Sequence, residues 1–343
     1  MAVWLVRAGS GGEREDLALE NDLVVVGWNE VPDLAAFTSR DEIMQVFERA
    51  YPDEKVKTLQ NWVGQMYAFR SRIAIGDIVV LPLKGQPLYA FGKVTGDYVY
   101  RKDLPEDARH TRAVDWINTE LPKSSLGTDL QYSLGAFMTV CQIQRNNAEE
   151  RIRGVLAGKK DEEVSPPIEA DGPTDADGVP TSIETLSATQ IRIHISKVFG
   201  PKKFERLVEE VLKAQGYSTE RTTEGADGGV DIVAGRGPMG FDEPRLAVQV
   251  KSGEGPEDIR TVRELQGVLR NFNAQRGLLV SWGGYKRSVM ALKRQLFFEI
   301  RLWTGDDLIE AVLETYDRLP DDIKADLPLK RIWTLVQEGD DPA

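Results

Sequence analysis

Apolar and polar positions follow different rhythms in the two halves of the chain. In the first half, Ala2–Arg7 and Leu23–Trp28 are short apolar runs that predict strands, and Asp41–Arg49 has helical spacing. Ile78–Leu83 follows the turn residues Gly76-Asp77. Leu88–Val94 follows Gln86-Pro87, and Gly96–Tyr100 continues that strand pattern. These elements suggest a small mixed, barrel-like unit. In the second half strands and helices alternate. A helix is expected over Lys202–Gln215, strands over Val230–Ala234 and Arg245–Lys251, and a helix over Pro256–Asn273. A strand over Gly277–Ser281, a helix over Tyr285–Leu296, a strand over Glu299–Trp303 and a helix near Asp306–Tyr316 complete the unit. That alternation argues for an α/β sheet covered on both faces.

Between the halves, Gly158–Ser182 is rich in Pro, Gly and acids and nearly free of large apolar residues. It cannot bury enough surface to offset its ordering entropy and reads as a linker. The expected organisation is therefore a first unit at 1–153, an acidic linker at 154–185, a second unit at 186–318 and an acidic tail at 319–343. The net charge of −12, taken alone, opposes a nucleic-acid partner. By segment, however, the net charge is −4 over 1–153, −6 over 154–185, +4 over 186–300 and −6 over 301–343. The basic block is the one with alternating strands and helices.

One cysteine, Cys141, excludes an internal disulfide framework and fits a reducing, cytoplasmic setting. The N-terminus lacks a basic stretch followed by an apolar one, which speaks against export. Two histidines, His110 and His194, are too few for a thiolate–imidazole zinc cluster, so a metal here would be hard and oxygen-ligated. No G-x-x-x-x-G-K-[ST] loop supports an NTP-driven machine.

Polar residues interrupt the apolar strands at three places. Asp231 lies between Val230 and Ile232, and Gln249 and Lys251 stand two apart in LAVQVKS, hence on one face. A carboxylate can hold a divalent cation, and a lysine can orient water and offset charge in a phosphoryl-transfer transition state. The Gly-rich approach Gly225–Gly229, with Asp227 inside it, would let metal or DNA come close to the backbone.

FERLVEEVLKAQGYSTERTTEGADGGVDIVA, RLAVQVKS and TVRELQGVLRNFNAQRGLLVSWGGY together resemble the Mrr catalytic domain of the PD-(D/E)xK nuclease superfamily. The resemblance covers about 110 residues and implies a mixed central sheet flanked by helices. It also implies that Asp231 binds the metal, that Lys251 is the catalytic lysine, and that Gln249 replaces the usual second acid. Glu205 would supply the missing charge, and Glu264 and Gln266 would support the site or touch DNA. Mg²⁺ is the implied cofactor, with Mn²⁺ able to substitute. Arg260, Arg263, Arg270 and Arg276 are candidate phosphate contacts.

VWLVRAG…GW and IGDIVVLP…YAFGKVTGDYVY resemble the PUA-like superfamily that includes EVE and YTH domains, which implies a small β-barrel able to take a flipped, modified base into an aromatic pocket. On that resemblance Trp28 is a pocket aromatic, with Arg7, Gly9 and Ser10 on the facing loop. Trp62 is a second candidate wall by composition, and Trp4 is expected in the core. The combined expectation is an α/β (α+β) two-domain, Mg²⁺-dependent restriction endonuclease acting on double-stranded DNA with modified bases. One active site cuts one strand, so a homodimer or larger homo-oligomer is expected, if only on DNA. The alternative is a DNA- or RNA-binding sensor without catalysis.

Overall fold

The computed structural model describes residues 1–135, 138–161, 183–222 and 229–333. The chain divides into two compact units, one built mainly from residues 1–186 and the other mainly from 187–331.

In the first unit β1 (Val3–Val6), α1 (Glu15–Glu20), β2 (Leu23–Val26), α2 (Arg40–Ala50) and α3 (Val56–Tyr67) come first. β3 (Ile78–Pro82), β4 (Leu88–Tyr100), β5 (His110–Pro122), α4 (Thr128–Ser133), β6 (Val140–Gln142) and α5 (Ala148–Leu156) follow. The strands form a six-stranded sheet in the order β2-β5-β4-β3-β1-β6 among the described residues. No pairing joins β2 to β6 there, so the expected barrel appears as a sheet with two edges. All four residues of β1 are buried. Trp4 and Val6 enter a core with α2 and α3, whereas Val3 and Leu5 enter another with α4 and α5. Helical cover on both faces explains why β1 reads as a continuous apolar run and not as an alternating one.

The second unit opens with α6 (Ile183–Val198), which begins within the stretch expected as linker, and α7 (Pro201–Ala214). β7 (Ser218–Arg221), β8 (Ile232–Arg236), β9 (Asp242–Lys251), α8 (Ile259–Val268) and β10 (Arg276–Ser281) follow. α9 (Arg287–Met290), α10 (Lys293–Leu296), β11 (Ile300–Thr304), α11 (Gly305–Thr315) and α12 (Asp321–Asp326) complete it. The sheet order is β11-β10-β9-β8-β7. β9, β10 and β11 are parallel, while β8 and β7 run antiparallel to their neighbours. This is the mixed, helix-flanked sheet that was expected. One core joins α6, α7, α11 and the segment around α12 to Ile232, Val248 and Val250, and the other joins α8, α9 and α10 to Val230, Ala247 and Leu279.

Two elements differ from the sequence reading, and one histidine can be placed. The single helix expected over Tyr285–Leu296 is two short helices, with Leu292 between them. The segment expected as tail supplies Leu319, Ile323 and Leu327 to the core, Ile323 from α12 and the two leucines from its flanks. His194, read as structural, lies on α6 and its Nε2 meets the Asp326 carbonyl at 2.7 Å. Among the described residues no helix is long and apolar enough to cross a membrane.

Candidate active site at the sheet end

The β8–β9 register pairs Ile232 with Val248 and Val233 with Ala247. Asp231 immediately precedes this ladder and bonds to β9 through its N–H, to Val248, and its Oδ2, from Val250. Gln249 and Lys251 alternate with Val248 and Val250, whose side chains join the α7 side, so both polar side chains stand on the α8 face. The parallel rows pair Lys251 with Ser281 and Ser281 with Thr304. Asp231, Gln249 and Lys251 therefore occupy the end of the sheet where β9, β10 and β11 finish.

Asp231 also completes the sheet. Its N–H donates to the Val248 carbonyl at 2.8 Å, and its Oδ2 accepts from the Val250 N–H at 2.6 Å. The Val230 carbonyl turns instead to the Thr222 hydroxyl. Burial pushes the Asp231 carboxyl above the usual carboxylate range, opposed by the Val250 N–H and the nearby Lys251 charge. A carboxylate that is desolvated, anchored through one oxygen and faced by a lysine is poised to accept a cation.

Gln249 is 3% exposed, and among the described residues its Oε1 has no hydrogen-bond partner. Its Nε2 lies against the backbone of Gly229, where a Cβ would stand only 2.8 Å from that nitrogen. Gly229 also has φ +89°, a conformation that favours glycine. A buried acceptor left open costs about 1–3 kcal/mol unless something fills its valence. Substituting Gln249→Met should therefore raise the unfolding temperature of the protein and lower any metal-dependent activity. A drop in unfolding temperature would show that the amide is structurally satisfied.

Behind this end of the sheet stands Trp282, whose N–H donates to the Lys251 carbonyl at 2.8 Å. Its Nε1 donates to Ser196 Oγ at 2.8 Å, and Ser196 donates onward to Glu254 at 2.9 Å. The Arg192 guanidinium lies 4.5 Å from the Trp282 ring centroid and donates to Asp306 at 2.7 Å. Phe204 meets the same indole edge-on at 5.3 Å. Thus α6 and α7 brace the strand ends that carry Lys251. The sequence reading missed Trp282, Arg192 and Ser196, because an indole in an apolar run and two polar helix residues carry no motif.

Other expected residues are placed differently. Glu205 is half-buried in the first turns of α7, next to Phe204. Gln266 accepts from Arg263 and donates to Glu299, both at 2.6 Å. Glu299 immediately precedes β11, so α8 carries Arg263 and Gln266 toward the end of the sheet opposite Lys251. Glu264 is exposed on the same helix. Asp227 and most of the Gly-rich approach lie outside the described residues. Among the described residues no three His, Cys, Asp or Glu side chains gather as a metal cluster. One carboxylate and one buried amide oxygen still suit a hard cation such as Mg²⁺, which keeps several waters and takes one or two carboxylates.

In the first unit, Trp28 is half-buried with φ +69°. An aromatic chain connects it to Trp62: Trp28–Phe47 at 6.0 Å, Phe47–Tyr51 at 6.0 Å and Tyr51–Trp62 at 5.2 Å. Both indoles thus lie along one core surface, and Trp4 is buried in that core with its Nε1 donating to Asp77. Strand alternation sends Arg7 to the other face, where burial lowers its guanidinium pKa and Tyr89 and Cys141 oppose the shift. The structure therefore does not bring Arg7 together with Trp28. Ser10 is exposed beside Glu13. Arg14, which the sequence reading did not single out, is the residue whose guanidinium borders both Gly9 and Gly27, next to Trp28. The segment after Trp28 is fixed by His110, whose Nε2 meets the Val31 carbonyl at 3.1 Å and whose Nδ1 meets Tyr98 Oη at 2.8 Å. Tyr98 accepts in turn from the Leu34 N–H.

Comparison with known proteins gives the two units different standing. Residues 4–143 match a domain of unknown function, DUF8426. An uncharacterized mitochondrial protein of Schizosaccharomyces pombe is 35% identical over 88 residues, which is 25% of this chain and 36% of that protein. The match thus spans about a third of that relative's length. Among solved structures, the DNA modification-dependent restriction endonuclease AspBHI is 14% identical, covering 79% of this chain and 72% of that one with a TM-score of 0.35. The MspJI restriction endonuclease in complex with a 27-mer oligonucleotide is 13% identical, covering 94% and 71% with a TM-score of 0.27. Residues 197–312 match the restriction endonuclease family Mrr_cat, and the C-terminal region of the chain carries that domain.

Proposed function

We propose that the protein is a modification-dependent DNA endonuclease whose C-terminal unit hydrolyses the phosphodiester backbone of double-stranded DNA. The observation that supports this most directly is the meeting of Asp231, the open buried acceptor of Gln249 and Lys251 at one end of a Mrr_cat sheet. Asp231 and Gln249 would hold the cation, whereas Glu205, expected to add charge, stands on α7 at the other face of the sheet. A divalent cation bound there supplies polarisation of a phosphoryl oxygen and a more acidic water. Lys251 orients the attacking water and offsets the charge that grows on the phosphoryl oxygens. Asp231 keeps the geometry fixed by its bond to Val250, and the brace from Trp282 holds the Lys251 backbone in register. The N-terminal unit would choose the substrate by taking an extruded, modified base beside Trp28, with Trp62, Arg14 and Ser10 near the contact surface. Aromatic faces stack on a base once it leaves the duplex. Because one site cuts one strand, duplex cleavage would need two copies.

The test is incubation of the purified protein with Mg²⁺ and plasmid from methylating and non-methylating hosts, alongside Lys251→Ala. Cutting confined to methylated plasmid and lost in the variant is the expected result. Equal cutting of both plasmids would remove the modified-base reader while keeping the nuclease. A second reading, a DNA- or RNA-binding sensor without catalysis, is favoured by the lack of a three-carboxylate cluster among the described residues. Binding without cutting under any divalent metal would select it.

A further inference from the structure

The end of the second sheet opposite Lys251 carries exposed aromatic residues that the nuclease reading does not use. Ala247, Gly277 and Ile300 form one row across β9, β10 and β11. Phe298 is two residues before that row, just ahead of β11, and Phe241 is six residues before it, just ahead of β9. At about 3.3 Å per residue, the β8–β9 hairpin reaches roughly 20 Å past the row. It stays paired, since Arg236 opposes Asp242. It is also held near its tip: Arg236 donates to the Gln215 carbonyl at 3.1 Å and stacks 4.2 Å from the Tyr217 ring centroid. Ser218 Oγ donates to the Gly237 carbonyl at 2.8 Å.

This rigid arm ends in Met239 and Phe241, which are 73% and 76% exposed, followed by the exposed acids Asp242 and Glu243. Two strand positions away, about 10 Å across the sheet, lies a platform of opposite charge. Phe297 and Phe298 are 45% and 78% exposed and pack edge to face at 4.9 Å. Arg301 stacks 3.6 Å from the Phe297 centroid, and Lys293 and Arg294 are exposed beside it. Large exposed apolar side chains beside one another mark interaction surfaces. Here one half of the surface is apolar and acidic and the other half apolar and basic, which is the self-complementarity a two-fold interface needs. Asp242, Glu243 and Glu299 argue against DNA as the occupant, because phosphates would meet carboxylates there.

We propose that this surface binds a second copy of the chain, the hairpin arm of each copy seating on the Phe297–Phe298–Arg301 platform of the other. Six phenylalanines and two methionines from the pair would bury on the order of 1,000 Å², the lower range of specific interfaces. This self-association is separate from the pairing of two catalytic sites that duplex cleavage would need. Since the arm lies at the sheet end remote from Lys251, the two catalytic ends of such a pair point away from each other.

The full chain is weighed by light scattering after size exclusion at micromolar concentration, without DNA or metal, so that nuclease activity has no bearing on the readout. The wild type should have twice the chain mass. Glu243→Lys alone and Arg301→Glu alone should each shift to the monomer mass. Mixing these two variants should restore the dimer, because each mixed pair then has opposite charges at both seats. A monomeric wild type would overturn the proposal, as would variants that keep the dimer or a mixture that stays monomeric.

Discussion

Asp231→Asn is expected to lower DNA cutting by at least about a hundredfold while leaving the protein folded and no less stable. The amide oxygen of Asn can still accept from the Val250 N–H, so the ladder stays closed. The substitution removes the negative charge that a cation needs, an effect worth several kcal/mol in the transition state. Stability follows from the direction of the pKa shift. The folded state raises the Asp231 pKa, so near neutral pH the ionised carboxylate is less favourable in the fold than in the unfolded chain. Removing that charge therefore relieves a cost. Cutting assays and thermal unfolding on the same preparation check both halves. A variant that still cuts would take the metal away from Asp231, and one that unfolds at lower temperature would show its charge to be structurally required.

Acidification is expected to destabilise the first unit through His110. Burial pushes this imidazole down from 6.5 to about 4, and the Val31 carbonyl opposes the shift only in part. Below pH 6.5 the unfolded chain takes up a proton that the folded state refuses. Stability is therefore full above that value and falls as pH drops toward 4, by roughly 3 kcal/mol in all. His110→Gln should be less stable than wild type at pH 7.5 and should lose much less between pH 7.5 and pH 5. Urea midpoints at the two pH values measure the difference, and equal slopes in both proteins would assign the acid sensitivity elsewhere. Because His110 holds Val31 and Tyr98 holds Leu34, binding by the Trp28 segment should weaken over the same interval.

The placement of the polar residues in the second unit was legible because it depends on strand alternation. Asp231, Gln249 and Lys251 interrupt apolar strands, and a period of two places the last two on one face whatever surrounds them. The limits of the sheet were less readable. Ser218–Arg221 is a strand with only partial burial, paired on one side, and its polar sequence resembles a loop. Ile183–Val198 was hidden by its neighbourhood, since it adjoins the acidic stretch and has little helical amphipathicity of its own. In the first unit, helices cover both faces of the sheet, which the barrel-like pattern of strands did not reveal. His110 carries no local signal at all: its importance comes from Val31 and Tyr98, which are distant in sequence.

The carboxylate at the start of β8 occupies the place that a backbone carbonyl would take one rung further along the ladder. With the Val230 carbonyl turned toward Thr222, the pleat of β8 ends at this rung. The Val250 amide proton marks the boundary. Its exchange with deuterated solvent depends on a side chain instead of a strand, and so reports the ionic state of position 231 without any turnover of substrate.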